Sequence, residues 1–363
     1  MRTRPLLALA AVTALVAGNA PASPAVAEEA PRTAVGAVFM VNPVQSSGIQ
    51  TLTDQKDSAD AVPGSAYDVV ELRNLDSSGY LRGDWVVVES STGTPAYSSE
   101  GRYVYDRSED QFEQVMGYFW VNQAQEYLQS LGFGDPATEL PGIIDEPFAV
   151  KINQYGGDNS YQTDQPFRIT LGKGGVDDAE DAEVIVHEYG HAVHADQVPG
   201  YGQSLDAGAI GEGFSDYLAV TVGLDAAQQY GWPVRGIHPY EAERGWDPRA
   251  CVADWDATSY STSPVKCLRR LDQAFTLADR KNQVHFDGMI WSAALWDIRL
   301  GYEKLRLGSR AWDTTLIDSQ FDYAPDTSFQ AAAKATYEKA LMEDGDRAAK
   351  LVRNAFAKRG ITF

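Results

Sequence analysis

The chain has 363 residues and a formal net charge of −21 at pH 7, and 44% of its residues are hydrophobic. This length allows one large domain or two medium domains with a sizeable core. Nucleic acid and anionic membrane surfaces are disfavoured as partners, because both would repel so acidic a protein.

The first 27 residues have the organisation of a secretory signal peptide. Arg2 and Arg4 give a positive start, residues 6–16 are apolar, and the Ala-Val-Ala sequence at 25–27 fits a cleavage site. The apolar run is too short to span a bilayer, and no later stretch is apolar for long enough. We therefore expect a secreted, extracellular protein that is monomeric and independent of membranes.

Residues 28–105 have the pattern of a β-rich segment. Runs rich in β-branched and aromatic residues are separated by Gly, Pro, Asp and Ser, and they lie at 37–41, 67–72 and 84–89. The segment is either a removable pro-region or part of the lobe that follows, and the sequence leaves both interpretations open.

Residues 106–205 are expected to form a lobe of mixed structure. Apolar side chains at helical spacing predict a helix over 110–131, with Gly132 as a natural stop. Short apolar runs predict strands at 148–152 and 167–171.

An acidic run occupies residues 177–183. Asp177 and Glu180 have the spacing of a capping box, and acidic side chains suit the first turn of a helix. We favour this structural interpretation. The run is also rich in the oxygen ligands that Ca²⁺ prefers, so calcium stays open as a second cofactor.

Residues 206–363 are expected to be mainly α-helical. Four helices are predicted from the apolar spacing, at 206–224, 268–279, 286–305 and 329–359, the last with a break near Gly345. The predicted fold class is therefore α+β, with a β-rich N-terminal half and a mainly α-helical C-terminal half.

Cys251 and Cys267 are the two cysteines of the chain. In an oxidising compartment such a pair is expected to form one disulfide, which would contribute on the order of 3 kcal/mol to stability. The alternative, metal ligation, is disfavoured because the pair lacks C-x-x-C spacing.

The chemistry of the chain centres on an HExxH motif at residues 187–191. His187 and His191 are four residues apart and project from one face of a helix, so both imidazoles can bind one metal ion. Glu188 lies off that face and is free to act on a water molecule at the metal. The apolar residues 184–186 indicate a buried helix, in which unpaired imidazoles would be costly.

A catalytic zinc site needs a third protein ligand and an open fourth position. Glu212 can supply that ligand from the next predicted helix. Asp216 lies one turn later on the same face and can accept a hydrogen bond from a ligand histidine, which fixes the tautomer of its ring. We predict Zn²⁺ bound by His187, His191 and Glu212.

The HEYGH sequence, followed about twenty residues later by GAIGEGFSD, resembles the thermolysin-type gluzincin metallopeptidases, and the GEGFSD form is most similar to the fungalysin family. The resemblance covers roughly residues 105–363. It implies a thermolysin-like fold with the HExxH helix at the floor of the cleft. Residues 106–205 and 206–363 are then the N-terminal and C-terminal catalytic lobes, and peptides or proteins are the substrates.

The resemblance also assigns roles to other residues. His285 matches a histidine that stabilises the oxyanion of the tetrahedral intermediate, and Tyr201 is the candidate for a tyrosine that assists it. Asn159 and Ser160 resemble the edge-strand element that binds the backbone of an extended substrate. The family places an aspartate five residues before the oxyanion histidine, whereas this chain has Arg280 there.

These residues together predict a secreted zinc metalloendopeptidase with Glu188 as general base. One alternative is an aminopeptidase, which would need an acidic anchor for the substrate amine. Another is a secreted binding protein that retains zinc without turnover. The departure at Arg280 keeps this second alternative open, and the intact Glu188 argues against it.

Overall fold

The computed structural model describes residues 33–53, 56–90, 93–153, 156–232, 245–260 and 267–363, and the predicted signal peptide lies outside them. The strands are β1 (Val35–Phe39), β2 (Tyr67–Glu71), β3 (Val86–Ser90), β4 (Arg102–Tyr103), β5 (Phe148–Ile152), β6 (Tyr161–Asp164), β7 (Phe167–Thr170), β8 (Cys251–Val252) and β9 (Arg269–Arg270). The helices are α1 (Pro43–Ser47), α2 (Asp110–Ser130), α3 (Ala182–Gln197), α4 (Leu205–Tyr230), α5 (Val284–Leu305), α6 (Ser309–Ser319), α7 (Phe329–Glu343) and α8 (Asp346–Lys358).

The predicted α+β class is confirmed. The strands of four or five residues all precede residue 171, and from residue 182 onward the described chain is mainly helical. Within the described ranges no helix combines the length and the apolar character that a membrane span needs.

A four-stranded sheet with the order β3-β5-β7-β6 flanks the motif helix. β3, β5 and β7 are parallel, and β6 pairs with β7 in the antiparallel sense. The crossover between β3 and β5 contains α2, as parallel pairing requires. β6 lies at one end of this order, so its outer edge has no partner strand among the described residues.

The helices α3, α4 and α5 cross closely at glycine residues, which have no side chain to hold the helices apart. A β-carbon on Gly190 of α3 would lie 2.7 Å from the hydroxyl oxygen of Ser215 on α4. One on Gly213 of α4 would lie 2.4 Å from the carbonyl oxygen of Gly288 on α5. These helices therefore approach backbone to backbone, and α4 is buried between its two neighbours.

Two local predictions are wrong. Residues 268–279 do not form one helix, because β9 pairs with β8 beside the Cys251–Cys267 disulfide and only a short 3-10 turn follows at Leu277–Asp279. Asp177 makes no capping hydrogen bond. Instead, the side chain of Asp181 accepts a hydrogen bond from the backbone N–H of Glu183 and caps α3.

We expect Gly213→Ala to lower the free energy of unfolding by about 1–3 kcal/mol, because the new methyl group would overlap the backbone of α5. The matched control is Gly223→Ala on the same helix, where the nearest atom would lie at an ordinary 3.4 Å. That variant should gain up to about 1 kcal/mol from helix propensity. Urea unfolding of both variants measures the difference, and equal stabilities would contradict the proposed close crossing.

Candidate active site

The HExxH helix α3 forms the floor of a cleft with a volume of about 570 Å³. His187 and Glu188 border this cleft and are only 6% and 7% exposed. Ile185 and Val186 are buried on the other side of the helix, which fixes the rotation of α3 about its axis. The apolar residues before the motif therefore direct the polar face into the cleft.

The three predicted zinc ligands are brought together. Nε2 of His187 lies 3.2 Å from Nε2 of His191 and 3.3 Å from Oε2 of Glu212. Nε2 of His191 lies 3.7 Å from Oε1 of Glu212. Ligands that bind Zn²⁺ tetrahedrally at about 2.0–2.1 Å stand roughly 3.3 Å apart. The three side chains thus have the spacing of three corners of a zinc tetrahedron.

The charge balance of this group also fits a metal cation. Oε2 of Glu212 is buried and accepts no hydrogen bond from any residue that the structure describes. Its nearest nitrogens, Nε2 of His187 at 3.3 Å and Nε2 of His285 at 3.5 Å, do not form a well-aligned hydrogen bond with it, and a bound cation would satisfy the buried carboxylate. All three ligand residues border the cleft, which leaves room for a further ligand on its open side.

Asp216 holds the ring of His187 in one orientation. Oδ1 of Asp216 accepts a hydrogen bond of 2.8 Å from Nδ1 of His187, which leaves the Nε2 lone pair for a metal. Arg269 donates two hydrogen bonds of 2.7 Å, one to each oxygen of Asp216. Burial acts to raise the pKa of Asp216, but Arg269 and His187 together lower it to about 2. Asp216 is therefore ionised and acts only as an acceptor.

The carboxyl group of Glu188 has a pKa that is raised toward neutral pH. Its burial raises the pKa of the carboxyl group to about 7, and the charge of Glu212 adds to this shift. A carboxyl group with such a pKa can both accept and return a proton near neutral pH.

His285 lies at the start of α5, and its Nε2 atom is 3.5 Å from Oε2 of Glu212. Gln283 caps α5, because its Oε1 accepts a hydrogen bond from the backbone N–H of Phe286. The Nε2 of Gln283 must then be the donor in its 2.8 Å contact with Nδ1 of His285. Since burial lowers the pKa of His285, the ring is neutral and carries its proton on Nε2, which faces the metal ligands.

Tyr201 borders the same cleft. Its ring stacks on His194 at 4.4 Å between centroids. Its hydroxyl oxygen is buried and has no partner among the described residues. Burial raises the pKa of Tyr201 well above 10, which keeps the hydroxyl protonated.

Asn159 and Ser160 lie just before the edge strand β6 and line the cleft. Tyr161, Gln162 and Asp164 of β6 line it as well. The hydroxyl of Ser160 is turned away from a substrate role, because it donates a hydrogen bond to Asp178. The outer edge of β6, which pairs with no strand among the described residues, borders the cleft as the predicted substrate-binding element would.

The disulfide prediction is confirmed, since Cys251 and Cys267 are bonded. The disulfide joins the pair β8 and β9, and β9 carries Arg269 to Asp216. Sequence reasoning missed Arg269 and Gln283. Gln283 could have been identified from its position directly before the helix whose first turn contains His285. For Arg269 the only signal was its closeness to Cys267.

The model of the family described as fungalysin metallopeptidase matches residues 163–362. An extracellular metalloproteinase of Leptosphaeria maculans is 28% identical over 127 residues, which are 34% of this chain and 18% of that relative. Extracellular metalloproteinase 9 of Uncinocarpus reesii is 26% identical over 124 residues, with shares of 32% and 18%. The chain thus matches less than a fifth of the length of these curated relatives.

The precursor of protealysin, a metalloproteinase from Serratia proteamaculans, has a similar fold with a TM-score of 0.53. The alignment covers 90% of this chain and 99% of that structure at 14% sequence identity. Sequence identity this low makes the likeness one of fold.

We expect Arg269→Met to lower zinc affinity by roughly 10–100-fold, because Asp216 would lose the two hydrogen bonds that orient it toward His187. Competition with a zinc-binding dye measures the affinity. The matched control is Arg249→Met, since Arg249 pairs with Asp247 and Glu303 rather than with Asp216. If both variants bind zinc as the wild type does, Arg269 has no part in positioning the site.

Proposed function

Because this chain belongs to the fungalysin family of metallopeptidases, we propose that it is a secreted zinc endopeptidase that cleaves extended polypeptides. The observation that carries this proposal is the spacing of 3.2–3.7 Å among the donor atoms of His187, His191 and Glu212, beside the buried carboxylate of Glu188. β6, the end strand of its sheet among the described residues, borders the same cleft. This combination supports peptide hydrolysis better than storage or transport of a metal.

Zinc held by these three residues would supply a Lewis acid that acidifies water and polarises the scissile carbonyl group. Glu188 takes a proton from the attacking water and later transfers it to the leaving amine. Its pKa of about 7 suits both steps, because neither gaining nor losing the proton is strongly uphill. Asp216 keeps the Nε2 lone pair of His187 available throughout.

His285 would stabilise the negative charge that develops on the carbonyl oxygen. The hydrogen bond from Gln283 places the proton of the ring on Nε2, 3.5 Å from a metal ligand. A donor aimed at the developing charge is the requirement for such a role. Tyr201 would add a second donor, since its protonated hydroxyl is unpartnered among the described residues and the residue borders the cleft.

The substrate would bind as an additional strand on the outer edge of β6. Backbone hydrogen bonds then hold the peptide, and the cleft walls select side chains. This mode favours an endopeptidase, because an extended chain can continue past both ends of the strand edge.

We expect Glu188→Gln to lose activity on casein by about 10²–10⁴-fold, since the amide cannot accept the proton. His285→Ala should lower kcat by about 10²–10³-fold, because a donor to the oxyanion is removed. Both variants should retain about one zinc ion per chain, measured by mass spectrometry.

The matched control is Glu343→Gln, the same kind of change at an exposed position of α7 outside the cleft lining. If zinc-loaded wild type cleaves neither casein nor short peptides, the alternative of a zinc-retaining binding protein takes the place of the peptidase. Cleavage restricted to peptides with a free amino terminus would support the aminopeptidase.

We also propose that residues 33–105 belong to the active enzyme rather than to a removable pro-region. β3 pairs with β5 inside the sheet that carries the substrate edge. The backbone N–H of Ala182 donates to the carbonyl oxygen of Val41 at 3.0 Å, and Nδ2 of Asn42 donates to Asp181 at 3.3 Å. The segment therefore supports the first turn of the HExxH helix.

We accordingly expect the active secreted protein to retain residues 33–105, because their removal would take a strand from the sheet and leave the start of α3 unsupported. Intact-mass measurement of the purified active form tests this. An active form that begins near residue 106 would assign the segment to a pro-region.

A further inference from the structure

Three carboxylates outside the predicted zinc site converge from separate parts of the chain. Asp158 precedes β6, Asp178 lies in the 3-10 turn before α3, and Asp256 follows β8. One carboxylate oxygen of each lies within 4.8 Å of one oxygen of each of the others. We refer to these three residues as the carboxylate cluster.

Two members of the cluster are buried, Asp158 is half-buried, and two of the carboxylate oxygens have no partner among the described residues. Asp178 and Asp256 are only 2% and 4% exposed. Oδ1 of Asp178 and Oδ1 of Asp158 are buried and have no hydrogen-bond partner among the described residues. The other oxygen of Asp178 accepts a hydrogen bond from the hydroxyl of Ser160.

No lysine or arginine of the described residues forms an ion pair with the cluster. Burial and the neighbouring Asp158 raise the pKa of Asp178 to about 8. Arg269 acts on Asp256 only from beyond ion-pair distance, so ionising the buried Asp178 and Asp256 beside the half-buried Asp158 is unfavourable without a further cation. The arrangement therefore calls for a cationic ligand that the chain does not itself supply.

We propose that the carboxylate cluster binds a divalent cation, and that this cation is Ca²⁺. The donor set is made of oxygens alone, which suits a hard cation rather than zinc. Ca²⁺ binds oxygens at about 2.3–2.6 Å, so two ligands of one ion stand at most roughly 5 Å apart, as these do. Mg²⁺ requires shorter, octahedral contacts and keeps most of its water.

The position of the cluster indicates what the cation would do. Asp178 and Asp256 border the same cleft as the predicted zinc ligands, which gives the ion a path from solvent. A bound ion would join three segments, namely the loop that leads into the substrate edge β6, the turn that leads into α3, and the turn after β8. It would thereby hold the substrate edge at a fixed distance from the HExxH helix. This inference goes beyond the proposed peptidase activity and does not depend on it.

The test uses the full secreted protein loaded with one equivalent of zinc, to which CaCl₂ is added in calcium-free buffer. We expect saturable heat of binding in calorimetry and a rise in the melting temperature with calcium concentration. Asp178→Asn and Asp256→Asn should each weaken calcium binding by roughly tenfold or more, because a charged ligand is lost. Asp164→Asn, a carboxylate on the rim of the same cleft, is the matched control and should bind calcium as the wild type does.

The direction in which Asp178→Asn changes the melting temperature, with and without calcium, distinguishes a cation ligand from a side chain that only packs in the interior. Without calcium, Asp178→Asn should melt at the same temperature as the wild type or higher, because it removes a carboxyl group whose ionisation burial and its neighbours already oppose. With calcium, the same variant should melt below the wild type. The proposal is overturned if wild type shows no saturable calcium binding, if both cluster variants bind calcium normally, or if Asp178→Asn is equally destabilised in both buffers. Unchanged stability with selective loss of cleavage of peptides that have a free amino terminus would assign the cluster to a substrate amine.

Discussion

The geometry of the site depends on the backbone contact of α3, α4 and α5 at Gly190, Gly213 and Gly288. His187 and His191 come from the first of these helices, Glu212 from the second and His285 from the third. The side chains of His187, His191 and Glu212 reach only a limited distance from their helices. Their donor atoms can therefore stand 3.2–3.7 Å apart only if the axes of α3 and α4 approach closely. Each of these glycines costs about 1 kcal/mol of helix propensity relative to alanine. The glycines are nevertheless required, because a β-carbon at any of them would push the site residues of one helix away from those of the next.

A second constraint is that the protein buries many acidic groups, and arginines compensate two of those around α3. Arg107 forms two hydrogen bonds with Glu180 in an almost fully buried position, and Arg269, which is 15% exposed, forms two with the buried Asp216. Both pairs hold the surroundings of α3 in place, one at its start and one beside its predicted metal ligand His187. Removing one partner of such a pair is far more costly than removing an exposed ion pair. The acidic residues of the chain thus stabilise part of the interior as well as forming a solvated surface.

The sequence predicted the parts of the site that depend on local periodicity. His187, His191, Glu212 and Asp216 follow from i and i+4 spacing, which an α-helix converts directly into a shared face. Arg269 was not predictable in this way, because its contact with Asp216 depends on a disulfide-linked strand pair at a position where the apolar spacing suggested a helix. The capping residue of α3 was misassigned for a related reason. Several acids compete in residues 177–183, and contacts with Asn42, Arg107 and Ser160 decide the role of each.

The substrate edge, the predicted zinc ligands and the carboxylate cluster share the elements that border one cleft. Ser160 shows the connection most directly, because it lies between Asn159 and β6 in the chain while its hydroxyl bonds to Asp178. A shift of the turn before α3 would therefore move the start of the substrate edge together with the first turn of the HExxH helix. Peptide hydrolysis needs the scissile carbonyl to stand within a fraction of an ångström of its productive position. A cross-link between these two elements, whether by hydrogen bonds alone or with a bound cation, answers that requirement by fixing β6 relative to the first turn of α3.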